Sequence, residues 1–432
     1  LDQFTLGFEK SSPDLPDSFV YLSGMNAISL SWATTAPVLE PSRCRFAGDS
    51  SRIGDMVRRW LEGSLSLSQV RELEAELPAR RALGIVVNNE CNQKCSHCFL
   101  DAPQLDGERL SASEWREVLH SSVRDIDQLF VVGKEVLLGK TGPEVISVLG
   151  ELRAAKPEMV AGVITNGTLL HRHGDLLRNS CVNQLAISME GDERDHDAVR
   201  GAGAFAAVRE NVEWAAGAFG KRFFIAMTLQ RRNFRELGSA IATFSKMGVQ
   251  NVGLSPYQPL AYTDSSLAMA RGDIREFFEN LGQLRQVPLL GDMCLRIDAC
   301  WAHPAALEEF ILSEWFDLDQ IESDGSGYYY VNHTLENGLR LSFRFLPWPL
   351  SLRHYLRISA EGHIVAAGDS YHVRLYGLNR LGNIRDVGLD FRKAWRAVES
   401  HPRVGLIDAR FESDAAPRLR NAYRSGRAPS RP

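Results

Sequence analysis

Between Leu83 and Tyr257, short runs rich in branched and aromatic residues recur, each followed by a polar loop and an amphipathic stretch. This alternation constrains the fold more than any other feature of the chain. The runs are Leu83 to Val87, Leu129 to Val132, Ala161 to Ile164, Gln184 to Ser188, Phe223 to Leu229 and Val252 to Ser255. The stretches between them leave room for helices, as at Ala112 to Val123, Glu144 to Ala154, Ala204 to Ala215 and Arg235 to Met247. Such β-α units join parallel strands, so the predicted fold class is α/β, a barrel or partial barrel. Parallel α/β barrels place their chemistry on the loops that leave the C-terminal ends of strands. Four such loops carry polar motifs here, and they are predicted to share one mouth.

The first of these loops reads Asn88-Asn89-Glu90-Cys91-Asn92-Gln93-Lys94-Cys95-Ser96-His97-Cys98-Phe99. Cys91, Cys95 and Cys98 together invite a metal. Gaps of three and two residues let a compact loop hold three corners of an iron-sulfur cube, whose fourth iron stays open to a small molecule. A zinc site completed by His97 or a distant ligand, and three plain structural thiols, are the alternatives. The second loop holds Gly133-Lys134-Glu135, the third Thr165-Asn166-Gly167-Thr168 and the fourth Ser188-Met189-Glu190-Gly191. The fourth runs on into His196-Asp197-Ala198-Val199-Arg200-Gly201.

Taken together, these motifs resemble the radical S-adenosylmethionine (SAM) enzymes, over about Leu83 to Tyr257. The resemblance implies a partial (β/α)6 TIM-like barrel, one 4Fe-4S cluster on Cys91, Cys95 and Cys98, and SAM as second cofactor. It also implies reductive cleavage to a 5′-deoxyadenosyl radical, with an electron donor such as flavodoxin or ferredoxin. His97 and Phe99 flank the third cysteine and join the cofactor-binding set. Gly133, Lys134 and Glu135 stand where such enzymes carry Gly-Gly-Glu, which holds the SAM ammonium. Lys134 departs from that pattern, since glycine tolerates close contacts that other residues resist. Thr165 and Asn166 are expected to border the cofactor, although Asn-Gly is equally a turn pair. Ser188, Glu190 and Arg200 match the Ser-x-Asp/Glu-Gly and His-Asp-x-x-Arg-Gly segments of the peptide-modifying branch. There Ser188 would bond the methionyl or ribose end, and Arg200 would take the methionyl carboxylate.

The flanks suggest further units. Residues 1–82 read as a small α+β module, with strands near Phe19 to Leu22 and Ala27 to Trp32 and helices near Ile53 to Leu61 and Leu67 to Leu77. It weakly resembles a peptide-recognition module, and a packing extension of the barrel explains it equally well. The barrel is expected over 83–284. Residues 285–412 offer hairpin signals at Tyr328 to Ser342 and Leu356 to Val365, then Leu381-Gly382-Asn383-Ile384 and a helix at Ala394-Trp395. This segment is similar to a SPASM domain, but without that domain's cysteines, so a SPASM-like α+β extension with no auxiliary cluster is predicted. Residues 413–432, rich in Arg, Ala, Pro and Ser, are expected to form a flexible tail. Cys294 and Cys300 are candidate hydrogen-atom donors to a substrate radical; buried core thiols are the other reading.

Composition sets the outer bounds. A chain of 432 residues, 44% hydrophobic, can bury a large core, and a formal charge of −5 gives no electrostatic case for nucleic acid or an anionic membrane. Its seven scattered cysteines do not form a disulfide framework, no apolar run is long enough to span a bilayer, and the start lacks a secretory signal. A cytoplasmic enzyme is expected. Its substrate would be a peptide, matured by a reaction such as epimerisation or crosslinking, or a sugar or amino-acid-derived small molecule. A radical-SAM-like scaffold that has lost turnover is the reading from another class, motivated by Lys134 and the missing auxiliary ligands.

Overall fold

The computed structural model of the chain describes residues 50–98, 108–180, 182–259, 264–300, 304–349, 354–366, 381–401 and 404–426. Helices α1 (Ser50–Glu62) and α2 (Leu67–Glu76) precede β1 (Ala82–Val86). There follow α3 (Ala112–Ser122), β2 (Gln128–Val132), α4 (Thr141–Ala155), β3 (Val160–Thr165), α5 (Leu170–Asn179) and β4 (Gln184–Ser188). Next come α6 (Glu193–Arg200), α7 (Ala204–Phe219), β5 (Phe223–Leu229), α8 (Leu237–Lys246), β6 (Asn251–Pro256) and α9 (Arg271–Asn280). The C-terminal part comprises β7 (Cys294–Cys300), α10 (Pro304–Leu312), β8 (Glu322–Ser323), β9 (Tyr329–Thr334), β10 (Arg340–Leu346), β11 (Tyr355–Ile358), β12 (Ile364–Ala366), α11 (Phe391–Glu399), α12 (Val404–Asp414) and α13 (Ala416–Gly426).

All the strands join one curled sheet, in the order β12-β11-β1-β2-β3-β4-β5-β6-β7-β10-β9-β8. From β11 through to β10 every neighbouring pair is parallel. Alternation within each strand builds two layers. In β5, Phe223, Ile225, Met227 and Leu229 face the large core under the helices, whereas Phe224 and Ala226 join Val86, Phe130, Val132 and Ile164 inside the curl. Both faces are therefore dry, which is why these strands read as continuous apolar runs.

Strand pairing also runs straight across residue 284, where the barrel was expected to end. Strand β7 adds to β6, β10 adds to β7, and β11 adds to the opposite edge at β1. The expected hairpins are present as the antiparallel pairs β9-β10 and β11-β12. Helices α1 and α2 pack beneath C-terminal elements: Trp60 meets Trp348 at 5.3 Å and Phe411 at 5.7 Å. Glu74 Oε1 accepts from Trp348 Nε1 at 2.9 Å and from Tyr329 Oη at 3.2 Å. The predicted strands at 19–22 and 27–32 lie outside the described residues.

One expectation is overturned. Within the segment read as a flexible tail, Ala416–Gly426 is a helix that buries Leu419, Ala422 and Tyr423. Those positions recur at helical spacing, a pattern that the Arg-Ala-Pro composition hides. Arg418 anchors the helix on the buried carboxylate of Glu308 at 2.7 Å, and Arg420 covers Trp60 at 5.0 Å.

Candidate functional site

Because β1 to β5 are parallel, the loops leaving their C-terminal ends crowd one rim, and hydrogen bonds join them. The cysteine loop and the loop after β2 are stitched by their backbones: Lys134 N donates to Asn88 O at 3.1 Å and Glu135 N to Glu90 O at 2.7 Å. Asn88 Nδ2 reinforces this by donating to Glu135 O at 2.8 Å. Gly133 is required by that contact, since a Cβ there would stand 2.4 Å from Asn88 Oδ1. Lys134, where the resemblance wants a second glycine, is partly exposed.

Glu135 is fully buried and turned toward the third loop. Its Oε1 accepts from Thr165 Oγ1 at 2.6 Å and Leu137 N at 3.0 Å, and its Oε2 from Asn166 N at 2.7 Å. Burial raises this carboxyl above its ordinary range, against the pull of those donors. From the third loop Asn166 reaches back to the first, donating through Nδ2 to Cys91 Sγ at 3.8 Å and to Asn92 Oδ1 at 2.9 Å. Burial also raises the Cys91 thiol, while Gln93 N and the Asn166 amide act against it.

The other side of the cysteine loop meets the fourth loop. Asp192 caps α6 through Asp195 N, and the helix carries His196 and Arg200 one turn apart on one face. Both address Glu190, which is completely buried. Arg200 donates to Glu190 Oε1 through Nε at 3.1 Å and Nη2 at 2.6 Å, while its Nη1 lies 3.9 Å from Cys95 Sγ. Glu190 Oε2 accepts from Thr228 N at 3.1 Å. Burial acts to raise Glu190, but the Arg200 guanidinium hydrogen-bonded to it outweighs that cost and holds the carboxyl below its ordinary range. His97 is itself lowered to about 4 by burial, so its ring is neutral at pH 7. It sits between Glu190 Oε1 at 3.6 Å and Gln230 Nε2 at 3.5 Å, with the Tyr257 ring edge-on at 6.4 Å. A neutral ring accepting from Gln230 at Nδ1 carries its proton on Nε2, facing Glu190.

The structure thus brings together Cys91, Cys95, Cys98, His97, Gly133, Glu135, Thr165, Asn166, Glu190 and Arg200, with Ser188 and Lys134 at the same rim. Phe99 lies outside the described residues. Cys294 is not brought in: it begins β7, paired in register with Asn251 at the start of β6, so it lies roughly 20 Å of strand from the rim. Burial raises its thiol further from the reactive thiolate form. Cys300 ends β7 on the rim side. Sequence reasoning missed Gln230 and Asn233. Gln230 is fully buried, with its Oε1 lacking a hydrogen-bond partner, and Asn233 Nδ2 donates to Glu190 O and Thr228 O at 3.1 and 3.0 Å. The available signal was a polar Gln-x-x-Asn directly after an apolar strand.

Among the described residues, no three His, Cys, Asp or Glu side chains close tightly enough to hold a single metal ion. The donor chemistry fits a larger anionic group. Three partly exposed thiols share one loop, an amide is aimed at the first sulfur, and a buried guanidinium at the second. Thiolate ligands with cationic and amide donors around them are the pattern of an iron-sulfur centre.

Residues 85–243 match the family described as the Radical SAM superfamily. Over that stretch the chain is similar to a superfamily whose members use a 4Fe-4S cluster and SAM, the cofactors that the cysteine loop and its neighbours suit. A probable GTP 3′,8-cyclase of Methanocella arvoryzae is 29% identical over 115 residues, 26% of this chain and 36% of that protein. The Fe-coproporphyrin III synthase of Methanosarcina barkeri is 29% identical over 196 residues, 44% of this chain and 46% of that protein. The chain thus spans less than half the length of these curated relatives. Among solved structures, native anSMEcpe with bound AdoMet and Cp18Cys peptide superposes with a TM-score of 0.50 at 16% identity, covering 76% of this chain and 82% of that one. That likeness concerns the fold.

Proposed function

We propose that the chain is a radical SAM enzyme that takes a hydrogen atom from a peptide. The observation that supports it best is the contact of two partner loops with the cysteine loop, Asn166 on Cys91 and Arg200 on Cys95. Bound together at this rim, the cluster and SAM supply a 5′-deoxyadenosyl radical able to attack an unactivated C–H bond. The cysteines would hold three irons, and Arg200 and Asn166 would orient the loop and offset its negative charge. Gln230, whose Nε2 contacts His97, keeps a buried amide oxygen with no partner in the protein, and the neutral His97 ring adds no cation beside the cysteines. Phe130, Phe224 and Ile164 inside the curl keep water from the base of the rim.

The peptide substrate draws support from the fold shared with anSMEcpe, a protein crystallised with a peptide. Residues 285–412 are read as a SPASM-like extension without an auxiliary cluster, and the cytosol as the site of action. Anaerobically reconstituted protein, reduced and given SAM, should release 5′-deoxyadenosine, and Cys95→Ala should abolish the release. No release from protein with a full cluster, with peptides supplied, would favour the scaffold reading.

A further inference from the structure

The C-terminal turn between β11 and β12 reaches the cysteine loop on both of its flanks. Strand β11 runs parallel to β1, so the residues after Ile358 emerge at the same rim as Cys91. On the entry side, Asn89, two residues before Cys91, donates through Nδ2 to Glu361 Oε1 at 2.5 Å. Glu361 is buried to 3% exposure, and its Oε2 accepts from Ser359 Oγ at 2.9 Å. On the exit side, Leu110 N donates to Ala360 O at 2.7 Å. Asn383 Nδ2 grips Glu361 O at 2.9 Å from behind. Two residues on, Arg385 bonds the Glu114 carboxylate at 2.6 and 3.1 Å and donates to Glu108 O and Arg109 O at 2.8 and 3.1 Å. Arg109 closes the circuit on Glu90 Oε1 at 2.6 Å. Gly362, at φ +85°, is needed for the turn, because a Cβ there would meet Asn383 Oδ1 at 2.8 Å.

We propose that this turn, with Asn383 and Arg385 behind it, is a clasp that fixes the cysteine loop at entry and exit, and that Glu361 is a positioning residue for Cys91. The proposal rests on the radical SAM reading for its consequence and on geometry alone for the clasp. It gives the C-terminal hairpin a role that needs no cluster of its own, in keeping with a sequence that has no cysteine after Cys300. A buried side chain that holds an amide two residues from a metal ligand restricts the loop to one pose.

The test is hydrogen exchange on the full chain, metal-free and reconstituted. Glu361→Ala should speed exchange in residues 88–98 by about tenfold or more while β5 keeps its protection, because a hydrogen bond to a charged group is lost there. Glu361→Gln retains an acceptor for Asn89 and should restore the slow exchange. In reconstituted protein the Ala variant should broaden the electron paramagnetic resonance signal of the reduced cluster, and the Gln variant should sharpen it again. Wild-type exchange in Glu361→Ala, or equally fast exchange in both variants, would overturn the clasp. Should Glu361→Ala fail to fold, Asn89→Ala removes the same bond from the other side and is read identically. Because the metal-free chain gives its own answer, a chain that never takes up a cluster would refute the function without deciding the clasp.

Discussion

Glu190 concentrates more of the site's electrostatics than any residue of the cysteine loop. It holds Arg200 by two bonds, accepts from Thr228 N and faces His97, all without exposure to water. Removing one partner of a buried ion pair leaves the other charge stranded, so Glu190→Ala should lower unfolding stability by about 3 to 5 kcal/mol. Urea unfolding of the metal-free chain measures this, and a loss below about 1 kcal/mol would show that Arg200 finds another partner. His196 adds a pH dependence. Burial lowers its folded pKa to about 4 from an ordinary 6.5, so between these values the unfolded chain binds the extra proton. Stability should therefore fall as pH drops from about 6.5 to about 4, by up to about 3 kcal/mol from this ring. A flatter dependence in His196→Gln than in the parent chain is the expected readout, and identical slopes would remove His196 as the cause.

The loops act as elements only because particular backbones touch. At Gly133 the cofactor contact suggested by sequence can be separated from sterics: Gly133→Ala pushes on Asn88, whose amide holds Glu135 O. Overpacking of this kind should cost about 1 to 3 kcal/mol and appear in thermal unfolding before any cofactor is added. A variant with unchanged melting would return Gly133 to a purely cofactor-facing role. Helix α13 makes the complementary case. Leu419 is buried in a segment whose composition suggested a tail, and Leu419→Ala should cost about 2 to 4 kcal/mol with faster exchange over 416–426. The six strands from β1 to β6 were legible because each is an apolar run covered on both faces, a local signal. The three cysteines and the four polar loops were legible for the same reason. Partners were not. That Arg200 spends its guanidinium on Glu190 and Cys95, that Glu135 faces Thr165, and that Cys294 starts its strand at the far end all depend on pairings set by residues far away in sequence.

At the scale of the whole molecule, the C-terminal segment completes the sheet. Strand β11 covers the edge of β1, the strand that launches the cysteine loop, while β7 and β10 continue the opposite side beyond β6. Without them both flanks would present bare rows of backbone donors and acceptors, and β1 would lose the neighbour that runs alongside Ala82 to Ile85. The same segment buries Trp60 and Glu74 of the leading helices. A chain ending at residue 284 should therefore elute from size exclusion as aggregate, with its metal uptake lost. A soluble monomer of that length, still binding iron at Cys91, Cys95 and Cys98, would instead mean that six strands close on themselves. The clasp through Glu361 would then be an addition to a finished barrel, and the dependence of the cysteine loop on the C-terminal turn would have to be read from hydrogen exchange alone.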